Sequence, residues 1–133
     1  MVAPVTVWAV RIGVSNEDAE GTLALEETHL VFSIAEGSLR IPLAEIGKVK
    51  RVLGSPVLMV DQKGAKPARF AFFFVKPPPL EPQGPRQSKR KARRQGTAYL
   101  STKNRSKKAV VVDWERDVRA AVGRASATQS QAD

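Results

Sequence analysis

The apolar residues of this chain change their spacing once, and that change limits what the chain can fold into. Between Val5 and Val75 they recur at every second position, in short runs broken by turn residues; between Val111 and Val122 they recur three and four apart. Alternation places side chains on one face of a strand, and the wider spacing places them on one face of a helix. The pattern therefore predicts a mainly β fold with one C-terminal α-helix. A lone amphipathic helix must bury its stripe against the sheet, and a strongly bent antiparallel sheet, an open barrel or sandwich, offers one end for it.

Seven strands are legible. The first is Val5-Thr6-Val7-Trp8-Ala9-Val10-Arg11-Ile12, ending near Gly13. After the polar loop Ser15 to Glu20, a second opens at Gly21 and sets Leu23 and Leu25 on one face. A third carries Leu30, Phe32 and Ile34, and turns through Ala35-Glu36-Gly37-Ser38 into a fourth, where Leu39, Ile41 and Leu43 alternate with Arg40. Pro42 lacks a ladder donor, which suits the end of an edge strand. One short helical turn is expected over Ala44 to Ile46, then strands over Val49–Leu53, with Lys48 and Lys50 exposed, and Val57–Asp61. The seventh strand, Arg69–Val75, holds Phe70, Phe72, Phe73 and Phe74, which reach both faces. The strand over Val57–Asp61 is likewise apolar on both faces, and both read as interior to the sheet.

Beyond Val75 the composition shifts. Five of the nine prolines fall between residues 77 and 85, a stretch expected to be extended. Ten basic residues follow without a single Asp or Glu: Arg86, Lys89, Arg90, Lys91, Arg93, Arg94, Lys103, Arg105, Lys107 and Lys108. They account for the whole excess of the formal net charge of +9, because the other 12 Lys and Arg stand against 13 Asp and Glu. The protein reads as a near-neutral body carrying one cationic segment. The expected layout is a single domain over 1–124, with 76–108 as a Pro-rich and then basic insertion and 125–133 as a disordered tail. The helix is expected to begin between Ser101 and Lys108 and to stop at Gly123. An extension upstream through Ala92, Ala98, Tyr99 and Leu100, interrupted at Gly96, would turn a floppy cationic loop into a rigid face. On the helix itself, Val111, Trp114, Val118, Ala121 and Val122 share the apolar face. Asp113, Glu115, Arg116, Asp117 and Arg119 decorate the other, with Glu115 and Arg119 as an i,i+4 pair.

The catalytic inventory is thin. There is no cysteine and one histidine, His29, which excludes a thiolate zinc site, a cysteine nucleophile and a multi-histidine metal site. His29 starts a strand without a recognisable nucleophile or orienting acid, and reads as structural. Asp61 and Glu45 belong to no paired-carboxylate motif, and the glycines lack phosphate-loop spacing. Trp8, Trp114 and the phenylalanine strand read as core packing. No catalytic residue, metal or cofactor is expected, and the chain is read as a non-enzyme. The apolar N-terminal run has no preceding basic residues and reads as a strand, not a signal peptide, and no apolar run is long enough to cross a membrane; a cytoplasmic location is expected.

The pieces Gly21–Phe32, Ile41–Val52 and Arg69–Val75, followed by a helix containing Trp114, together resemble the pleckstrin-homology (PH) superfold in its bacterial PH-like or GRAM-like branch. The resemblance implies a bent seven-stranded antiparallel sheet, plugged at one end by the C-terminal helix, that binds and does not catalyse. Some members bind phosphoinositides through basic residues in the first hairpin loop. Here that loop, Ser15 to Glu20, is acidic and would repel a phosphorylated headgroup. Lys63, Lys66 and Arg69, at the loop before the last strand, form a secondary candidate anion site. The main candidate contact is the cationic segment, directed to an anionic lipid surface on the inner face of the membrane or to a protein partner. Nonspecific nucleic-acid binding is the alternative, with Tyr99 as the one aromatic within the segment available for stacking. The plainest reading is a solvated loop that aids solubility.

Overall fold

A computed structural model describes residues 2–14, 17–64, 66–76 and 89–132; within the helix, side chains are described at 99–100 and 103–127. Seven antiparallel strands and one helix are present: β1 (Val5–Arg11), β2 (Ala19–Leu25), β3 (His29–Ile34), β4 (Gly37–Pro42), β5 (Ile46–Arg51), β6 (Val57–Gln62), β7 (Ala68–Phe73) and α1 (Lys89–Ala132), with a 3-10 turn at Leu43–Glu45 between β4 and β5. The sheet order is β4-β3-β2-β1-β7-β6-β5, so the first and last strands of the sheet-forming region meet at its centre and β4 and β5 are its edges. Pro42 ends the β4 edge, and the two strands that are apolar on both faces, β6 and β7, are interior.

Alternation builds the core. Val7, Leu23, Leu30, Phe32, Ile41, Leu58, Val60, Phe70 and Phe72 face one side and are buried. Gly21 lets this layer close, because a Cβ there would lie 2.4 Å from the Ser33 carbonyl oxygen and 2.7 Å from the Phe32 ring. β5 begins three residues before the position its alternation suggests. Its register shifts between Ile46 and Lys48, and the irregularity puts Ile46 and Val49, three apart, both into the core. That bulge breaks the period-two signal on which recognition of the strand depends.

The helix supplies the other wall. Val111, Trp114, Val118 and Ala121 are buried in the same cluster as the strand residues, and the Trp114 ring meets Phe74 edge-on at 6.2 Å. The helix is longer than expected at both ends. It starts at Lys89 and runs through Gly123 to Ala132. Lys, Arg, Gln and Ala are good helix formers, and together they outweigh the roughly 1 kcal/mol that Gly96 costs. Gly123 does not enter the left-handed conformation that would end the helix. Residues 77–88, including Arg86 and the five clustered prolines, lie outside the described residues, as do Ser15 and Asn16 of the first loop.

Candidate functional site: the two halves of the C-terminal helix

Nine of the ten cations read as the main contact site lie on one continuous element, the first 20 residues of α1. Lys89, Arg90, Lys91, Arg93 and Arg94 occupy its first two turns. Lys103, Arg105, Lys107 and Lys108 follow after a gap. Upstream of Val111, no described helix residue is buried; Lys103, Arg105 and Lys108 are exposed and Lys107 is half-buried. The stretch from Lys89 to Val110 is about 33 Å long at 1.5 Å per residue. Its helix positions carry no carboxylate before Asp113.

By its sequence, this half of the helix concentrates like charge. Lys89–Arg93, Arg90–Arg94 and Lys103–Lys107 are like-charge pairs four residues apart, each destabilising by a few tenths of a kcal/mol. Three cations also sit in the first turn, at the positive end of the helix dipole, where no acidic residue offsets them. An anion brought to this segment relieves both terms. At about 100° per residue, the nine positions cover about 240° of the helix circumference, more than one face. Lys103 Nζ lies 5.9 Å from the Tyr99 ring centroid, so this aromatic already holds a cation of its own helix.

The downstream half is tied to the sheet by groups the sequence places on the polar face. Arg119 is exposed and Glu115 partly buried at the rim of the polar face, and both also reach the sheet. Glu115 Oε2 accepts a hydrogen bond from the Arg51 backbone N–H, and Arg119 Nε donates to the Val49 carbonyl at 2.8 Å. Val49 and Arg51 are two apart on edge strand β5, so their backbone groups point the same way, away from β6. The i,i+4 pair, 3.7 Å apart, thus satisfies ladder groups that an edge strand would otherwise expose. Sequence reasoning found the pair and missed its partner, because no local pattern reveals which backbone a side chain will meet. Beside this seam, Gly47, Lys48, Val49, Arg119 and Val122 line a recess of about 270 Å³.

The secondary anion site is not an open cluster of three cations. Arg69 binds Asp61 in a two-pronged contact, Nε to Oδ1 at 2.8 Å and Nη2 to Oδ2 at 3.2 Å. The hydrogen bond and then the charge of Asp61 raise the Arg69 pKa further above its ordinary value. Lys63 and Lys66 are exposed, and Lys63 lies by the start of β5, its N–H on the Glu45 carbonyl and its side chain against Gly47. The three cations are near one another in sequence, and the structure commits Arg69 to Asp61. In the first loop, Glu17, Asp18 and Glu20 are exposed, and Glu20 stands beside β1, opposite Trp8.

His29 shares a 2.7 Å hydrogen bond between Nδ1 and Thr28 Oγ1 at the start of β3. Asp61 is taken up by Arg69, and the Glu45 carbonyl accepts the Lys63 N–H. Among the described residues, no three His, Cys, Asp or Glu side chains gather as a metal site would require, and no helix is long and apolar enough to cross a membrane. No protein-family model matches the chain, and a search among curated proteins finds no match.

Proposed function

We propose that this chain is a non-catalytic binding module of the PH-like kind, in which the β body and the downstream half of α1 form a scaffold and the upstream half holds an anionic partner. The observation that carries the reading is the continuity of α1. One helix is anchored by Val111, Trp114 and Val118 and runs upstream into a stretch with nine cations and no carboxylate. A peripheral contact with anionic lipid on the inner face of a membrane, or with an acidic protein surface, uses this charge directly. Each basic residue near an anionic bilayer contributes about 1 kcal/mol within a Debye length.

A second reading is supported by the spread of the cations over about 240° of the helix. A flat bilayer meets one side of a helix, whereas the major groove of a duplex admits a helix with phosphates on both walls. Nonspecific nucleic-acid binding is therefore the alternative. Neutralising about five phosphates would give a log–log salt slope of roughly −4 to −5.

The test uses the full chain and a variant with the ten basic residues of 86–108 changed to Gln. Binding is measured to phosphatidylcholine–phosphatidylglycerol vesicles and to a short DNA duplex over a range of salt. The proposal expects the intact chain to bind one of them with strong salt dependence, and the variant to lose that binding. Vesicle binding favours the membrane reading and duplex binding the nucleic-acid reading. If neither binds, or if the Gln variant binds equally well, the proposal fails.

A further inference from the structure

The seam between α1 and edge strand β5 leaves a buried donor without an acceptor. In an antiparallel strand the N–H and C=O of one residue point to the same side. The Val49 carbonyl faces α1, because it accepts from Arg119 Nε at 2.8 Å. The Val49 N–H therefore faces α1 as well. Val49 is only 5% exposed, and among the described residues its N–H has no acceptor. Two residues upstream, the register shift leaves Gly47 without a partner on β6. A buried backbone N–H is almost always bonded, so this one calls for an acceptor from outside the chain.

That donor belongs to the recess of about 270 Å³ lined by Gly47, Lys48, Val49, Arg119 and Val122. Arg119 spends Nε on Val49. Its Nη2 is 3.7 Å from Glu115 Oε2, too far for a hydrogen bond, so the Nη edge of the guanidinium keeps donors to give. Two lysines add charge. Lys48 lines the recess and is exposed, and the Lys63 stem lies within 4 Å of the point where a Cβ on Gly47 would stand. The neighbouring carboxylates are engaged or turned elsewhere. Glu115 Oε2 takes the Arg51 N–H. Asp61, opposite Lys48 in the register, is held by Arg69. Glu45 Oε1 lies by Gly64, past the end of β6. A concavity with a backbone N–H, a guanidinium edge and two lysines beside it suits an oxyanion.

We infer that this recess binds a small oxyanion, a phosphate or carboxylate group, with one oxygen on the Val49 N–H and another on the Arg119 Nη edge. Lys48 and Lys63 supply further positive charge. The site lies on the body of the protein and stands apart from the proposed polyanion contact: Arg119 is about 16 Å along α1 from Lys108, the last cation of that segment. The bound ion bridges α1 and β5, so it also stabilises the folded chain by mass action.

Amide NMR of the full chain tests it, with the ten basic residues of 86–108 changed to Gln so that the cationic segment does not contribute. The chain is titrated with inorganic phosphate, with acetate, and with sodium chloride at matched ionic strength. One or both oxyanions should shift the Val49 amide along a saturable curve, and chloride should leave it in place. The tighter of the two sorts a phosphate ligand from a carboxylate one. Arg119→Gln should weaken the binding at least about tenfold, because a charged donor edge is lost. Lys63→Gln removes charge beside the recess while keeping the seam's hydrogen bonds, and should weaken it about threefold. Circular dichroism checks that both variants fold, and Lys63→Gln decides if Arg119→Gln does not. A Val49 amide that neither oxyanion moves, or that chloride moves equally, overturns the inference. So do folded variants that bind as tightly as the parent. Each of these results leaves the vesicle and duplex measurements on the cationic segment untouched.

Discussion

The two halves of α1 are made of similar helix-forming residues and differ in what surrounds them. From Val111 to Val122 the helix is one wall of the core, with Trp114 and Val118 buried and Glu115 and Arg119 bonded to the backbone of β5. From Lys89 to Val110 no described residue is buried, and nine cations follow one another without a carboxylate. The downstream half gains its stability from packing. The upstream half keeps its like charges together against their repulsion, a cost that an anionic partner would remove. One continuous element thus joins a part that holds the fold to a part suited to contact.

The sharpest break between the halves comes from charge. Changing the ten basic residues of 86–108 to Gln should abolish polyanion binding, a loss of about 5 kcal/mol if half of them engage at about 1 kcal/mol each. Thermal unfolding of the body should stay the same or shift slightly upward as repulsion is relieved, and calorimetry checks this. Trp114→Ala should do the reverse. Removing a fully buried indole costs about 3–5 kcal/mol in urea unfolding, while the cationic half keeps its sequence and, in the folded fraction, its salt-dependent binding. Glu115→Ala leaves the Arg51 N–H without its acceptor and should cost about 1–3 kcal/mol. Glu115→Gln, which keeps an acceptor oxygen, should cost less, and comparison of the two denaturation curves separates the hydrogen bond from the packing. Gly123→Ala should stabilise by about 0.5–1 kcal/mol, because the residue is helical with open space around its missing Cβ. Arg116→Ala should change stability by less than about 0.5 kcal/mol, since its contacts with Asp113 and Asp117 are made by an exposed guanidinium. An Arg116 effect as large as that of Glu115 would mean that the downstream half depends on surface charge and not on packing.

Much of the sheet was legible because alternation and turn chemistry are local. Leu23, Leu30, Phe32, Phe70 and Phe72 declared their faces in the sequence, and Pro42 declared an edge. β5 was legible only in part, because the bulge at Gly47 spoils its period. The helix ends were misread for related reasons. Uncompensated charge and Gly96 argued for a loop upstream, and Gly123 argued for a stop, yet the helix runs through both, and Gly123 has open space around its missing Cβ and no left-handed turn. The cations were found by counting, as were Lys63, Lys66 and Arg69. That Asp61 takes Arg69 follows from the β6–β7 register, which sets them opposite one another.

The sequence by itself determined the two regimes of hydrophobic period, the stripe through Trp114 and the concentration of charge before it, because each depends on the order of neighbouring residues. Only the tertiary structure decided that β1 and β7 meet at the centre of the sheet. It also decided that Glu115 and Arg119 bond to the β5 edge, and that Val49 and Arg119 line one recess. Those facts depend on contacts between residues about 50 to 70 positions apart, and such contacts are set by which strands pair and in what register, which no local spacing encodes.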